Sequence, residues 1–144
     1  MKRLYLVLTL LTALSAISCS RYSFDVNDNE IYAPPPLLTS FSVKDPALQS
    51  CLDQAIEDSG VTASQQLTRL HCSYAGVKDL EGLSRFSRIE QLSLKGNSLG
   101  KIEELLQMTH LTLLDISENP LTECQTIRQL ESLDIPRFIH NSDC

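Results

Sequence analysis

The sequence predicts an α/β solenoid: a short stack of about four coils, with parallel β-strands on the concave side and an N-terminal capping helix. Three observations predict it. Apolar residues recur with a period of 22 from Leu67 onward, a well-signalled amphipathic helix stands just before them, and cysteines fall at both ends of the repeating stretch. The chain has 144 residues, 42% of them hydrophobic, which is one ordinary domain's worth of core. Its formal charge is −6, and this acidic balance excludes nucleic acid and anionic lipid as electrostatic partners.

Residues 1–18 read as an export signal. Lys2 and Arg3 supply a basic start, Leu4 to Leu14 an apolar run, and Ser15, Ala16 and Ser18 a small-residue segment before Cys19. Eleven apolar residues are too few to span a bilayer as a helix. Ala16-Ile17-Ser18-Cys19 resembles the lipobox of bacterial lipoproteins, with Ala at a position where Leu is more usual. The resemblance implies that Cys19 is diacylated and becomes the mature N-terminus, holding the protein to a membrane through lipid. Ordinary signal peptidase is the alternative reading of Ala16-x-Ser18, and it would leave Cys19 free. Ser20 follows, rather than Asp, and in Gram-negative lipoproteins that implies sorting to the outer membrane. The lipid-anchored domain would then be periplasmic or surface-facing.

Residues 19–40 read as the lipidated cysteine and a flexible tether. They show neither helical nor strand periodicity, and Asn27-Asp28-Asn29 and Pro34-Pro35-Pro36 interrupt regular structure. Stretched, such a segment reaches roughly 60 Å. The proline run is a stiff spacer on this reading, and a polyproline ligand on the alternative.

Residues 41–66 form the expected cap. Asp45 is a helix N-cap residue with Pro46 at the first helical position, and Gly60 is the stop. Leu48, Cys51, Leu52, Ala55 and Ile56 fall on one helical face, whereas Asp45, Asp53, Glu57 and Asp58 fall on what should be a solvated one.

Residues 67–144 carry the repeats. One face reads Leu67, Leu70, Cys72, Val77, Leu80, Leu83 and Phe86. Advancing by 22 gives Ile89, Leu92, Leu94, Leu99, Ile102, Leu105 and Met108, then Leu111, Leu114, Ile116, Leu121, Cys124, Ile127 and Leu130. Against a 42% hydrophobic background, an unbroken match of this length has a chance of roughly 10⁻⁸, so the period is real. Ala75, Asn97, Asn119 and Asn141 hold one further position, with Leu133 and Phe138 continuing the apolar series. A coil this short cannot bury its apolar stripe alone, and stacking makes the core continuous. Buried Asn side chains at a fixed spacing are expected to bond the backbone of neighbouring coils.

The pattern LxxLxLxxNxL, followed by LxxLxxL, resembles the leucine-rich repeat, and its 22-residue length is most similar to the bacterial internalin type. The resemblance covers about Leu67 to Asn141. It departs at Ala75, where Asn is missing, and in the last turn, where Pro136 and Asp143 replace Leu, so that turn is expected to be a degenerate closing coil. With Cys19 lipidated, the stacking order pairs Cys51 with Cys72 and Cys124 with Cys144, one disulfide at each end.

Catalytic signatures are missing: there is no P-loop, GxGxxG, HExxH or GxSxG. A Cys72–His71 dyad would need both side chains on one side of a strand, whereas successive strand residues point opposite ways. The histidines are scattered and no CxxC occurs, so no metal site, cofactor or small-molecule substrate is expected, and no enzyme. The resemblance places partner binding on the outward strand positions: Arg69, His71, Ser73 and Tyr74; Gln91, Ser93 and Lys95; Leu113, Asp115, Ser117 and Glu118; then Ile135 and Arg137. The expected partner is a protein or peptide. A fixed neighbour in an envelope complex, touched through the acidic cap helix, is the alternative.

Overall fold

A computed structural model describes residues 24–26, 29–120 and 124–141. Cys19 with the whole signal segment, Leu121 and Cys144 lie outside them. The chain divides into two compact units, Met1–Pro35 and Pro36–Cys144. The first contains an antiparallel pair, β1 (Phe24–Val26) with β2 (Asn29–Tyr32), in which Val26 stands opposite Asn29. This strand pair falls in the segment read as an irregular tether. Asn and Asp in a two-residue connection favour a hairpin as readily as they interrupt longer elements.

In the second unit, residues 36–45 lead into the cap. Leu37, Leu38 and Phe41 pack against the core, and the Leu38 N–H donates to the Val61 carbonyl at 2.9 Å. The Phe41 ring meets Phe86 edge-on at 5.2 Å. The folded unit therefore begins before residue 41, because apolar side chains there have a core to join. Helix α1 (Pro46–Ser59) follows, with Leu48, Leu52 and Ile56 buried. Gly60 ends it at φ +64°, its N–H donating to the carbonyls of Ile56 and Glu57.

Asp45 is a correction to the sequence reading. It is only 7% exposed and does not lie on a solvated face. Its Oδ1 accepts from the N–H groups of Ala47 (2.8 Å) and Leu48 (3.0 Å), capping α1. Its Oδ2 accepts from those of Lys78 (2.9 Å) and Asp79 (3.2 Å), in the first coil. One carboxylate thus caps the helix and clamps it to the solenoid. Desolvation pushes its pKa up, but the four N–H donors outweigh that and leave it below the usual carboxylate value.

Four strands then stack in parallel in chain order: β3 (Arg69–His71), β4 (Gln91–Ser93), β5 (Leu113–Asp115) and β6 (Arg137–Ile139). Short 3-10 turns, Leu83–Phe86 and Glu103–Gln107, form the return halves of the first two coils. The third returns through a true α-helix, α2 (Cys124–Glu131). Every described member of the three apolar sets is buried except Cys124, which is half-buried.

The last coil breaks the period. Arg69, Gln91 and Leu113 follow one another at 22, but Leu113 pairs with Arg137, which is 24 residues on. An α-helix advances less per residue than a 3-10 turn, so more chain is needed to regain the sheet. As a result, Ile135 packs against the core instead of facing outward, Leu133 is 46% exposed instead of inward, and Ile139 takes the outward position.

Asn97 and Asn119 form the expected ladder. Asn97 Nδ2 donates to the Cys72 and Leu94 carbonyls, and its Oδ1 accepts from the Val77 N–H. Asn119 repeats the pattern with Leu94, Ile116 and Leu99. Each Asn reaches back one coil, which explains Ala75: the first coil has a helix behind it, and Ala75 is exposed. Asn141 bonds different groups, the Glu118 N–H and the Asn119 carbonyl, as the shifted last coil requires.

Candidate protein-binding face

The β3–β6 sheet presents its outward residues as columns. Arg69, Gln91, Leu113 and Arg137 lie side by side, as do His71, Ser93, Asp115 and Ile139. Strand spacing sets neighbours in each column roughly 4.8 Å apart. Arg69, His71, Tyr74, Glu118 and Arg137 are exposed, whereas Gln91, Ser93, Lys95, Leu113 and Asp115 are half-buried between their neighbours. Ser73 and Ser93 share a hydroxyl hydrogen bond of 2.8 Å, and Asp115 accepts from the Ser117 hydroxyl at 2.6 Å.

Just past the strands lies a third column, Tyr74, Gly96 and Glu118, again 22 apart. All three have left-handed backbones, with φ of +55°, +66° and +57°. Gly96 adopts this freely, whereas a bulky Tyr does so only under strain. The Tyr74 ring lies across Gly96: a Cβ built on that glycine would collide with the ring. Beyond it the phenol O–H donates to Glu118 Oε2 at 2.7 Å, and Lys95 Nζ meets Glu118 Oε1 at 3.0 Å. The ring therefore spans three coils and is pinned at its far end, yet Tyr74 remains 65% exposed.

This network sets the charges of its members. The hydrogen bond to Glu118 raises the Tyr74 pKa above its ordinary value, and the hydrogen bonds from Tyr74 and Lys95 lower that of Glu118. The hydrogen bond and charge of Glu118 raise Lys95. Sequence reasoning placed Tyr74, Lys95 and Glu118 on one face without joining them. The readable clue was glycine at position 96, midway between Tyr74 and Glu118 in the period.

The Cys72–His71 dyad does not form. Cys72 points into the core and is joined to Cys51, with Cα atoms 5.8 Å apart, so no thiol stands beside the outward His71. Cys124 is also disulfide-bonded; its expected partner Cys144 lies outside the described residues. Among the described residues, no three His, Cys, Asp or Glu side chains gather in a way that could hold a metal ion. No helix among them is long and apolar enough to cross a membrane.

A stack of parallel strands at a 22-residue repeat, short returns and an inward Asn ladder define the architecture. The fold is a leucine-rich-repeat solenoid. No family model matches the chain, and no curated protein does either. Among solved structures, an internalin from Listeria monocytogenes is similar, at 25% identity and a TM-score of 0.56, over 66% of this chain and 29% of that one. Internalin C2 from the same species is similar at 24% identity and a TM-score of 0.53, over 67% of this chain and 47% of that one. The chain thus matches less than half the length of either internalin. Its leucine-rich-repeat face is the short sheet just described, with the Tyr74 ring laid across Gly96 beside it.

Proposed function

We propose that this chain is a bacterial lipoprotein, anchored in the outer membrane through acylated Cys19, whose leucine-rich-repeat domain binds another protein without catalysis. The observation that carries the binding reading is Tyr74. A left-handed tyrosine, propped over a glycine and pinned by a carboxylate, keeps a large aromatic surface in solvent at a fixed place. Preorganised aromatics among arginines are the composition of interface hot spots, and backbone strain in a surface residue points to use. The likeness to internalins supports the same reading at the level of fold.

The lipid anchor rests on the Ala16-Ile17-Ser18-Cys19 motif. Metabolic labelling with a palmitate analogue tests it: label on the wild type that is lost in Cys19→Ser supports the anchor, and an unlabelled wild type refutes it. For binding, a photoreactive residue at Asp115 and another at Glu57 on the acidic side of α1 are compared in intact cells. A specific adduct from Asp115 supports the sheet as the binding face. Adducts from Glu57 alone transfer the contact to the cap helix, as in an assembly subunit.

A further inference from the structure

β3 is an outer strand of its sheet, and among the described residues its second hydrogen-bonding edge has no strand beside it. Toward β4, the Cys72 and Tyr74 N–H groups donate to the Ser93 and Lys95 carbonyls, and the Thr68 carbonyl accepts from Gln91. Alternation along the strand turns the backbone groups of Arg69, His71 and Ser73 the opposite way. These three residues are exposed, whereas Gln91, Ser93 and Lys95, one coil later, are half-buried. Between this edge and α1 runs a groove of about 690 Å³, with Ser50, Gln54 and Asp58 on its helical wall.

An unpaired strand edge is a template for another backbone, and recognition by strand addition uses it. Not all of the edge is open, because Cys51 Sγ lies 3.5 Å from the His71 carbonyl oxygen. The Arg69 carbonyl and the His71 N–H remain. That is the pair one residue of a parallel strand bridges, donating to the first and accepting from the second. Gln91 of β4 uses the Thr68 carbonyl in the same way on the other side.

Resting on the protein-binding reading above, we propose that this edge receives an extended peptide segment of a partner protein. The segment adds a fifth, parallel strand with an acidic side chain beside Arg69. Arg69 selects the acid: it is exposed on the strand side of the groove and enters none of the ion pairs among the described residues, whereas Asp58 stands on the helical wall. Ala55, Ala75 and the Cys51–Cys72 bridge line the groove beside the place that strand would take.

The test uses random dodecapeptides displayed on phage and selected on the full mature chain. The strongest, labelled with fluorescein, is then titrated by anisotropy. His71→Pro removes the outward N–H together with the imidazole, a change an edge strand tolerates. It should weaken binding at least tenfold, whereas His71→Ala, which keeps the N–H, should stay within about twofold; Arg69→Glu should weaken binding severalfold. Slowed hydrogen exchange at the His71 amide on peptide binding gives a second readout in the wild type. Selected peptides indifferent to His71→Pro, equally sensitive to His71→Ala, or leaving that amide unprotected would overturn the inference. So would self-association of the chain that His71→Pro abolishes, since the occupant would then be a second copy. A partner captured at Asp115 but indifferent to His71→Pro would overturn this inference alone and leave the sheet-face reading standing.

Discussion

Asp45 offers the sharpest test of how the cap is held. Replacing it with Ser keeps a good N-cap for Ala47 and Leu48 but is too short to reach Lys78 and Asp79. Replacing it with Ala removes both functions. Loss of the cap costs about 1 kcal/mol. Each clamp bond is a charge-assisted bond to a partly buried N–H, and losing it costs about 1 kcal/mol, the low end of the range for an unsatisfied group. Asp45→Ser should therefore lose about 2 kcal/mol and Asp45→Ala about 3 kcal/mol. The chain has no Trp, so urea unfolding is followed by far-ultraviolet circular dichroism with the disulfides intact. Acid provides the second arm. The folded Asp45 pKa lies below its unfolded value, so its contribution is complete above the unfolded pKa and disappears as pH falls through the folded one. The gap between wild type and Asp45→Ser should be constant near neutrality and close in acid. An Asp45→Ser variant as stable as wild type, or a gap unchanged in acid, would refute the clamp.

Three further outcomes follow from the same contacts. Asn119→Ala should lose about 2 kcal/mol in urea unfolding, because the Leu99 N–H and the Ile116 carbonyl lose their partner in the core while the Leu94 carbonyl keeps Asn97, whereas Asn141→Ala in the half-exposed last coil should lose about 1 kcal/mol. Gly96→Ala should destabilise by about 1–2 kcal/mol for its left-handed backbone and also displace the Tyr74 ring; adding Tyr74→Ala should recover the steric part, and strictly additive losses would argue against the contact. Cys51→Ala with Cys72→Ala should lower stability by about 3 kcal/mol in the same assay, the loop-closure value for a separation of 21 residues.

The core was legible in the sequence because a solenoid buries the same positions in every turn. Leu70, Leu92 and Leu114 occupy equivalent places, so periodicity alone identified them. The cap helix was legible for a local reason: Asp45, Pro46 and Gly60 carry its start and stop in their own chemistry. The second role of Asp45 was not legible, because Lys78 and Asp79 lie more than 30 residues away and contribute only backbone N–H groups, which every sequence has. Nor was the two-residue shift that buries Ile135 and exposes Leu133, since it depends on the third return being α-helical rather than 3-10.

For the first three coils of the candidate site, the sequence determined which residues face outward, since strand alternation and a fixed period leave little choice. It also determined the left-handed column indirectly, by placing Gly96 there. Only the tertiary structure decided that Tyr74 leans across that glycine to Glu118, that Lys95 joins them, and that the Arg69 carbonyl and the His71 N–H lie open beside a groove. The physical reason is one of range. Burial patterns and capping are set within a turn or a repeat, whereas these contacts depend on how three coils and a helix are spaced, and a one-dimensional pattern does not carry that spacing.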